Sequence, residues 1–473
     1  MNIISSISLQ NFRGFKETGC VQLAPLTFIV GPNSSGKSTL ANALMFIAQS
    51  FNMRVATKLS PDWMGRLVDL GSFLDTSNRH AVKNVISIEV GLKINYKAPS
   101  ITSGRPSPIG KYETRWKWEV RQSPKSEAKT LAATKASHLT ISDSTSGVSI
   151  GFSYTGAQIN LKLANEEIKL RTEQNIQFSE NWLVASALKN IITREKSLLV
   201  GSQLGYKRLL ESYTSIDVPR FFSAFERVTS ARSGPKRWVA KDLSWSQNNE
   251  TGLLNDPYAF DFDISPTNVK RPSNREQISK YLNTLNIASS IERVDLSAYH
   301  TSLQVTDSTT GVRSNLADVG FGASQVVPVI KGCVSRSNGP LFIEQPEIHL
   351  HPKAQSQLAD LICESSATRQ LFVETHSEHI INKARILILE KKIKPEDITI
   401  IYVNKTKSGS AITQIGIDSE GEFTKAWPQG FFDERYHDTM TLLRLKTKNR
   451  TIIDLDKPKA TRSKKTASTV HDN

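Results

Sequence analysis

Gly31-Pro32-Asn33-Ser34-Ser35-Gly36-Lys37-Ser38 constrains this chain more than any other segment. It matches the phosphate-binding pattern G-x-x-x-x-G-K-[ST] at every position. The flanks are those the pattern needs. Leu26-Thr27-Phe28-Ile29-Val30 predicts a strand buried on both faces, and Thr39 to Phe51 space their apolar residues helically. Gly31 and Gly36 let successive backbone N–H groups turn inward onto phosphate oxygens. The helix that follows adds the positive end of its dipole. In such a loop Lys37 reaches the β- and γ-phosphates and the Ser38 hydroxyl ligates Mg²⁺. Asn33, Ser34, Ser35, Gly36 and Thr39 complete the expected phosphate contacts.

Further along, three segments supply what a phosphate loop lacks alone. Pro340-Leu341-Phe342-Ile343-Glu344-Gln345-Pro346-Glu347 is an apolar run ending in acid. Gln370 to Val373 predicts another strand, leading into Glu374-Thr375-His376-Ser377. Asp318-Val319-Gly320-Phe321-Gly322-Ala323-Ser324-Gln325-Val326 places small residues and a serine at a predicted helix start, a second anion-binding terminus. At the N-terminus stands Ile7-Ser8-Leu9-Gln10-Asn11-Phe12-Arg13-Gly14-Phe15.

Taken in chain order, from Ile7 to Ser377, the segments resemble the ABC-like heads of SMC-, RecF- and OLD-type ATPases. The resemblance implies an α/β fold, a mixed sheet with flanking helices. Here it carries an inserted β-rich region and a helical lobe. Glu344 then stands where an acid orders Mg²⁺ through its water shell. Gln345 occupies the place of the glutamate that polarises the attacking water. A glutamine can orient that water but cannot take its proton. Glu347 is the alternative base. His376 corresponds to the switch histidine that senses the γ-phosphate, and Ser324 to the signature residue that completes the site of an opposite subunit. Two heads thereby trap two ATP molecules. Arg13 lies either beside the nucleotide, as in that class, or simply on the surface.

The ending adds detail. Ala426-Trp427-Pro428-Gln429-Gly430-Phe431-Phe432-Asp433-Glu434 is similar to the W-P-x-G-F-F-D-E close of a group of prokaryotic OLD-like ATPases, and Ser230 to Arg237 to their R-x-x-P-x-R segment. That group shares the G-F-G-x-S-Q, E-Q-P-E-x-H-L-H-P and T-H-S-E motifs present here. Many of its members serve anti-phage defence beside a separate nuclease. The resemblance implies an ATP-dependent self-association, a nuclease effector such as an HNH protein, and slow hydrolysis without nuclease activity of its own. Asp454-Leu455-Asp456 is a D-x-D such as a nuclease carboxylate pair needs, but it sits at the edge of the basic tail and no apolar strand follows it. The H-x-H of His349 and His351 invites a zinc reading, but no cysteine or carboxylate completes a site of suitable spacing.

Composition bounds the rest. The length of 473 residues suits two lobes, and no window approaches the roughly 18 apolar residues of a membrane span. No secretory signal opens the chain, and Cys20, Cys333 and Cys363 form no disulfide framework, so a reducing, cytoplasmic setting is expected. The net charge of +15 favours an acidic partner, with nucleic acid reached through a partner or a basic surface. The predicted organisation is an N-terminal ATPase lobe at 1–174, a helical insertion at 175–295, a C-terminal ATPase lobe at 296–443 and a basic tail at 444–473. That tail carries nine Lys/Arg against three Asp and is either a solubilising segment or a phosphate-binding arm. Two functional classes stay open: a regulatory ATPase that restrains a nuclease, and a DNA-clamping repair or recombination head of RecF/SMC type.

Overall fold

Runs of apolar residues on either side of the phosphate loop build two sheets with one helix between them. The structure, a computed structural model, describes residues 1–50, 63–97, 109–122, 132–143, 149–154, 158–163, 166–171, 217–232, 234, 236–240, 254, 273–335, 337–427 and 439–446. The chain begins with β1 (Ile3–Phe12), β2 (Phe15–Glu17), β3 (Val21–Gln22) and β4 (Leu26–Val30), followed by α1 (Lys37–Ser50) and α2 (Phe73–Thr76). Six long strands come next: β5 (Ile86–Lys97), β6 (Ile109–Gln122), β7 (Ala132–Asp143), β8 (Ser149–Tyr154), β9 (Gln158–Leu163) and β10 (Glu166–Arg171). This β-rich region extends a sheet begun at the N-terminus. Each strand pairs antiparallel with the next and β5 pairs with β1, giving a nine-stranded sheet ordered β10-β9-β8-β7-β6-β5-β1-β2, with β3 on β1. In β6 the side chains alternate, with Tyr112, Trp116, Trp118 and Val120 buried and Lys111, Glu113, Arg115 and Arg121 exposed.

The second sheet holds six strands in the order β11-β16-β17-β4-β18-β19. These are β11 (Glu226–Val228), β16 (Leu341–Glu344), β17 (Leu371–Glu374), β18 (Ile398–Thr406) and β19 (Gly409–Ile415), with β4 among them. All neighbouring pairs are parallel except β18 with β19. Burial on both faces explains why β4, β16 and β17 read as continuous apolar runs.

A third, smaller sheet combines β12 (Val239–Ala240), β13 (Ser290–Asp295), β14 (His300–Thr306) and β15 (Arg313–Asn315). The remaining helices are α3 (Asp217–Ser223), α4 (Asn274–Thr284), α5 (Phe321–Val334), α6 (Pro352–Ser366) and α7 (Glu378–Leu389). None of the described helices is long and apolar enough to cross a membrane.

Helix α1 is buried nearly all round, which is why its apolar residues form no narrow stripe. Its Phe46 ring stacks at 5.9 Å on Trp118 of the nine-stranded sheet and lies 4.8 Å from Trp63. The same core cluster takes in Ile29, Phe342, Phe372 and Ile401 of the parallel sheet. Truncating Leu44 there to alanine would cost about 2–5 kcal/mol. Gln370 sews the two sheets together: it accepts from Ile4 N at 2.8 Å and donates to the carbonyls of Ile4 and Ala24. The phosphate loop therefore opens from a rigid base.

The nine-stranded sheet ends at Arg171, just before the expected boundary at 174/175, while the small sheet spans the expected boundary at 295/296. Inside 175–295 the described residues include β11, an edge strand of the parallel sheet, and β13 pairs across residue 296 with β14. The rest of that stretch falls largely outside the described residues. By internal contacts the chain divides into Met1–Lys425, which holds all three sheets, and Ala426–Asn473, where 439–446 are helical. Residues 428–438 and 447–473, with most of the W-P-x-G-F-F-D-E segment, Asp454 and Asp456, lie outside the described residues.

Candidate active site

Four parallel strands in register end at one edge, the place where open α/β sheets hold ligands. From β4 the chain turns directly into the phosphate loop. Gly31 has φ +143°, and a Cβ on it would meet the Val403 carbonyl oxygen at 2.1 Å, so only glycine fits there. Behind the loop, Ser410 of β19 donates its hydroxyl to the Ser35 carbonyl at 2.6 Å and braces the turn. Ser35 itself is buried, and its side chain is outside the cleft. Lys37, the first residue of α1, is buried and donates to the carbonyls of Gly31 (3.0 Å) and Pro32 (2.8 Å). The loop is thus closed over its own lysine. Burial holds this ammonium below the usual lysine range, with Glu374 opposing.

A cleft of about 450 Å³ opens beside it. One wall is Asn33, Ser34, Gly36, Lys37, Ser38 and Thr39, and the other is Gln345, Glu374 and His376. Ser38 Oγ donates to Glu374 Oε2 at 3.3 Å. Burial pushes the Glu374 carboxyl up, Lys37 pulls it down, and the nearby Glu344 and Glu347 push it up again. His376 is held below the ordinary imidazole range by burial and by Lys37, which favours the neutral ring.

Besides Ser35, four expected residues lie outside the cleft lining. Glu344 does not line the cleft. Its Oε1 accepts from Arg227 Nε (2.9 Å) and Nη2 (2.6 Å), and its Oε2 from Ser230 N (3.0 Å) and Oγ (3.3 Å). Glu347 anchors the switch segment instead of facing the cleft: it accepts from His376 N at 2.6 Å and Thr375 Oγ1 at 2.9 Å, and burial pushes its carboxyl up. Arg13 sits at φ +46°, where its N–H donates to Thr76 O, and burial holds its guanidinium below the usual arginine range with the Asp75 and Asp69 charges opposing. Ser324 is fully buried and donates to Phe321 O at 2.9 Å, one turn back in its own helix. The surface of that helix start is Gly320 and Phe321, the latter 54% exposed and edge-on to His349 at 5.1 Å. A Cβ at Gly322 would strike the His349 carbonyl at 2.6 Å, which explains the second glycine of this segment. His351, in turn, caps α6 by accepting from Lys353 N.

Gln345 keeps its place by backbone restraint. It has φ +42°, in the left-handed region. Its N–H donates to Glu374 O at 2.7 Å, and its carbonyl accepts from Arg232 Nη2 at 3.0 Å. The same Nη2 reaches Glu344 O at 2.6 Å. Burial pulls the Arg232 guanidinium down to about 10, with the Glu347 and Glu344 carboxylates opposing.

The loop, its lysine and the oxygen pair Ser38–Glu374 fit a nucleoside triphosphate with Mg²⁺, a hard cation that takes oxygen ligands. Comparison with known proteins agrees. The AAA ATPase domain family matches residues 1–214 and 246–381. The chain belongs to that family and is a P-loop ATPase. Residues 393–442 match a family described as protein of unknown function (DUF3696). No curated protein matches the sequence.

Solved structures similar to it include an SMC head bound to the C-winged helix domain of ScpA. That likeness is 13% identity and a TM-score of 0.42 over 87% of this chain and 97% of that one. The SMC head domain from Thermotoga maritima gives 12%, 0.36, 87% and 98%. The Smc head with extended coiled coil bound to the C-terminal domain of ScpA, from Pyrococcus furiosus, gives 12%, 0.35, 88% and 97%.

Proposed function

We propose that this ATPase is the nucleotide-sensing subunit of an anti-phage defence complex. It assembles with a separate nuclease effector and restrains it while ATP is bound. Its motifs resemble those of PtuA of Septu, paired with an HNH nuclease, and next those of AriA of PARIS. The observation that carries the reading is the placement of Gln345. It lies in the cleft opposite Lys37 where a base is expected, while both Glu347 oxygens are committed to the switch segment. Such a site binds ATP and turns it over slowly, because an amide cannot remove a proton from water. ATP then acts as an occupancy signal. Two heads close face to face on two nucleotides, and higher assemblies form through 175–295.

The test is purification with the product of the neighbouring gene. A stable complex whose nuclease is silent with ATP and active after ATP is removed supports the reading. A nuclease indifferent to nucleotide, or no complex at all, contradicts it.

The net charge of +15 favours a second reading, a DNA-clamping head of RecF/SMC type. Such a clamp binds duplex DNA on its own, with an affinity that falls steeply as salt rises. A titration of the purified protein across salt separates the two.

A further inference from the structure

We infer that this protein carries a second ligand site, a hollow for a small organic cation bearing primary ammonium or guanidinium groups, at the end of the parallel sheet opposite the nucleotide. The hollow holds about 450 Å³, as much as the ATP cleft, and falls within the range of small-molecule sites. It lies where α4, α5 and the end of α6 meet, with the buried Leu361 and Cys333 at its base and the exposed Asn338 and Glu364 at its mouth. Asn338 and Thr368 stand just before β16 and β17 begin, whereas Gln345 and Glu374 of the cleft stand where those strands end. The length of the sheet separates the two sites. The inference does not depend on the nuclease reading.

The hydroxyls of the lining have already given their protons away. Tyr281 donates to Glu364 Oε2 (2.8 Å), Ser337 to the Ala224 carbonyl (3.0 Å) and Thr368 to the Ser365 carbonyl (3.1 Å). What these groups keep for a ligand is their lone pairs. Burial, together with the Glu364 carboxylate, pushes the Tyr281 hydroxyl up, so its proton stays in place. Helices α5 and α6 both end here, at Val334 and Ser366, and bring two negative dipole ends to one hollow. Asn338 and Gln277 add amides that serve either way. Among the described residues no Lys, Arg or His lines the space. The cations nearby are held elsewhere: Arg369 pairs with Glu226 at 2.7 Å, and Lys280 lies over the Tyr281 ring, 5.2 Å from its centroid. An anion would therefore meet the Glu364 carboxylate with nothing to offset it, and a metal ion would find a single acid. In a chain of net charge +15, this hollow of acceptors suits a ligand that donates hydrogen bonds and carries positive charge.

The experiment titrates the full-length protein with putrescine and with agmatine by calorimetry, at constant ionic strength, beside neutral butanediol. Saturable binding of at least one of the two cations is expected, and none of the diol. Glu364→Gln, of the same size but neutral, is expected to weaken that binding by about 10-fold or more, with its fold checked by circular dichroism. If Glu364→Gln does not fold, Asn338→Trp serves in its place. It fills the mouth from an exposed position, and loss of binding is expected. A wild type that binds neither cation saturably, a diol that binds as well as they do, or a folded variant with unchanged affinity overturns the inference. Each of these outcomes leaves ATP binding at the phosphate loop intact.

Discussion

Ser38 and Glu374, 336 positions apart in the chain, meet at 3.3 Å and join the phosphate loop to the end of β17. The contact depends on the parallel register of β4 with β17, which sets Ile29 beside Glu374. Chemistry at this edge is therefore divided among three strand ends: the loop after β4, Gln345 after β16, and Glu374 to His376 after β17.

Replacing Lys37 by alanine removes the one ammonium buried in the loop, along with its bonds to Gly31 and Pro32. Loss of ATP binding is expected in calorimetry, with the fold preserved by circular dichroism, since α1 is held by its apolar contacts. Near-normal affinity in the folded variant would contradict this.

Arg232 holds the carbonyls of Glu344 and Gln345 between two carboxylates, and only 7% of it is exposed. Arg232→Met removes those two hydrogen bonds and a buried positive charge near Glu347 and Glu344, the latter still paired with Arg227. A stability loss of about 1.5–3 kcal/mol is expected in denaturant titration. Arg232→Lys is expected to recover part of the loss, because one nitrogen, Nη2, makes both bonds. A loss below about 1 kcal/mol in the methionine variant would show that this cation is dispensable.

The phosphate loop and its flanking elements were legible because the glycine spacing and the shift from strand to helix periodicity both lie within twenty-five residues. The alternation in β5 and β6 was equally plain. Glu374 was overlooked although a signal existed. Leu341-Phe342-Ile343-Glu344 and Leu371-Phe372-Val373-Glu374 are near copies, and they pair residue for residue. Which of two like acids faces the ligand depends on strand order, and strand order is not written in either segment. Strand β11 escaped notice for another reason: three residues, Glu226 to Val228, carry no period. Gly320 to Ser324 resembles a signature loop, a pattern that points to Ser324 as the outward serine. In the fold that serine is already inside α5, and it points its hydroxyl at its own turn.

That placement gives a prediction about assembly. If two heads close through the start of α5, the exposed groups there are Phe321 and its partner ring His349. Phe321→Glu is expected to abolish an ATP-dependent dimer in light scattering, whereas Ser324→Ala leaves it unchanged. Dimerisation lost in Ser324→Ala and kept in Phe321→Glu would reverse the assignment.

Slow turnover is the central claim, and steady-state ATPase kinetics test it most directly. Gln345 stands in the cleft without the means to accept a proton, and Glu347 is tied to His376 N and Thr375. A missing base commonly removes about 10²–10⁴ in rate while binding through the loop survives. The expected result is a sluggish wild type that Gln345→Glu accelerates, with Glu347→Gln affecting stability of the switch segment more than the chemical step. A wild type turning over at about 1 per second or faster, and stopped by Glu347→Gln alone, would contradict it.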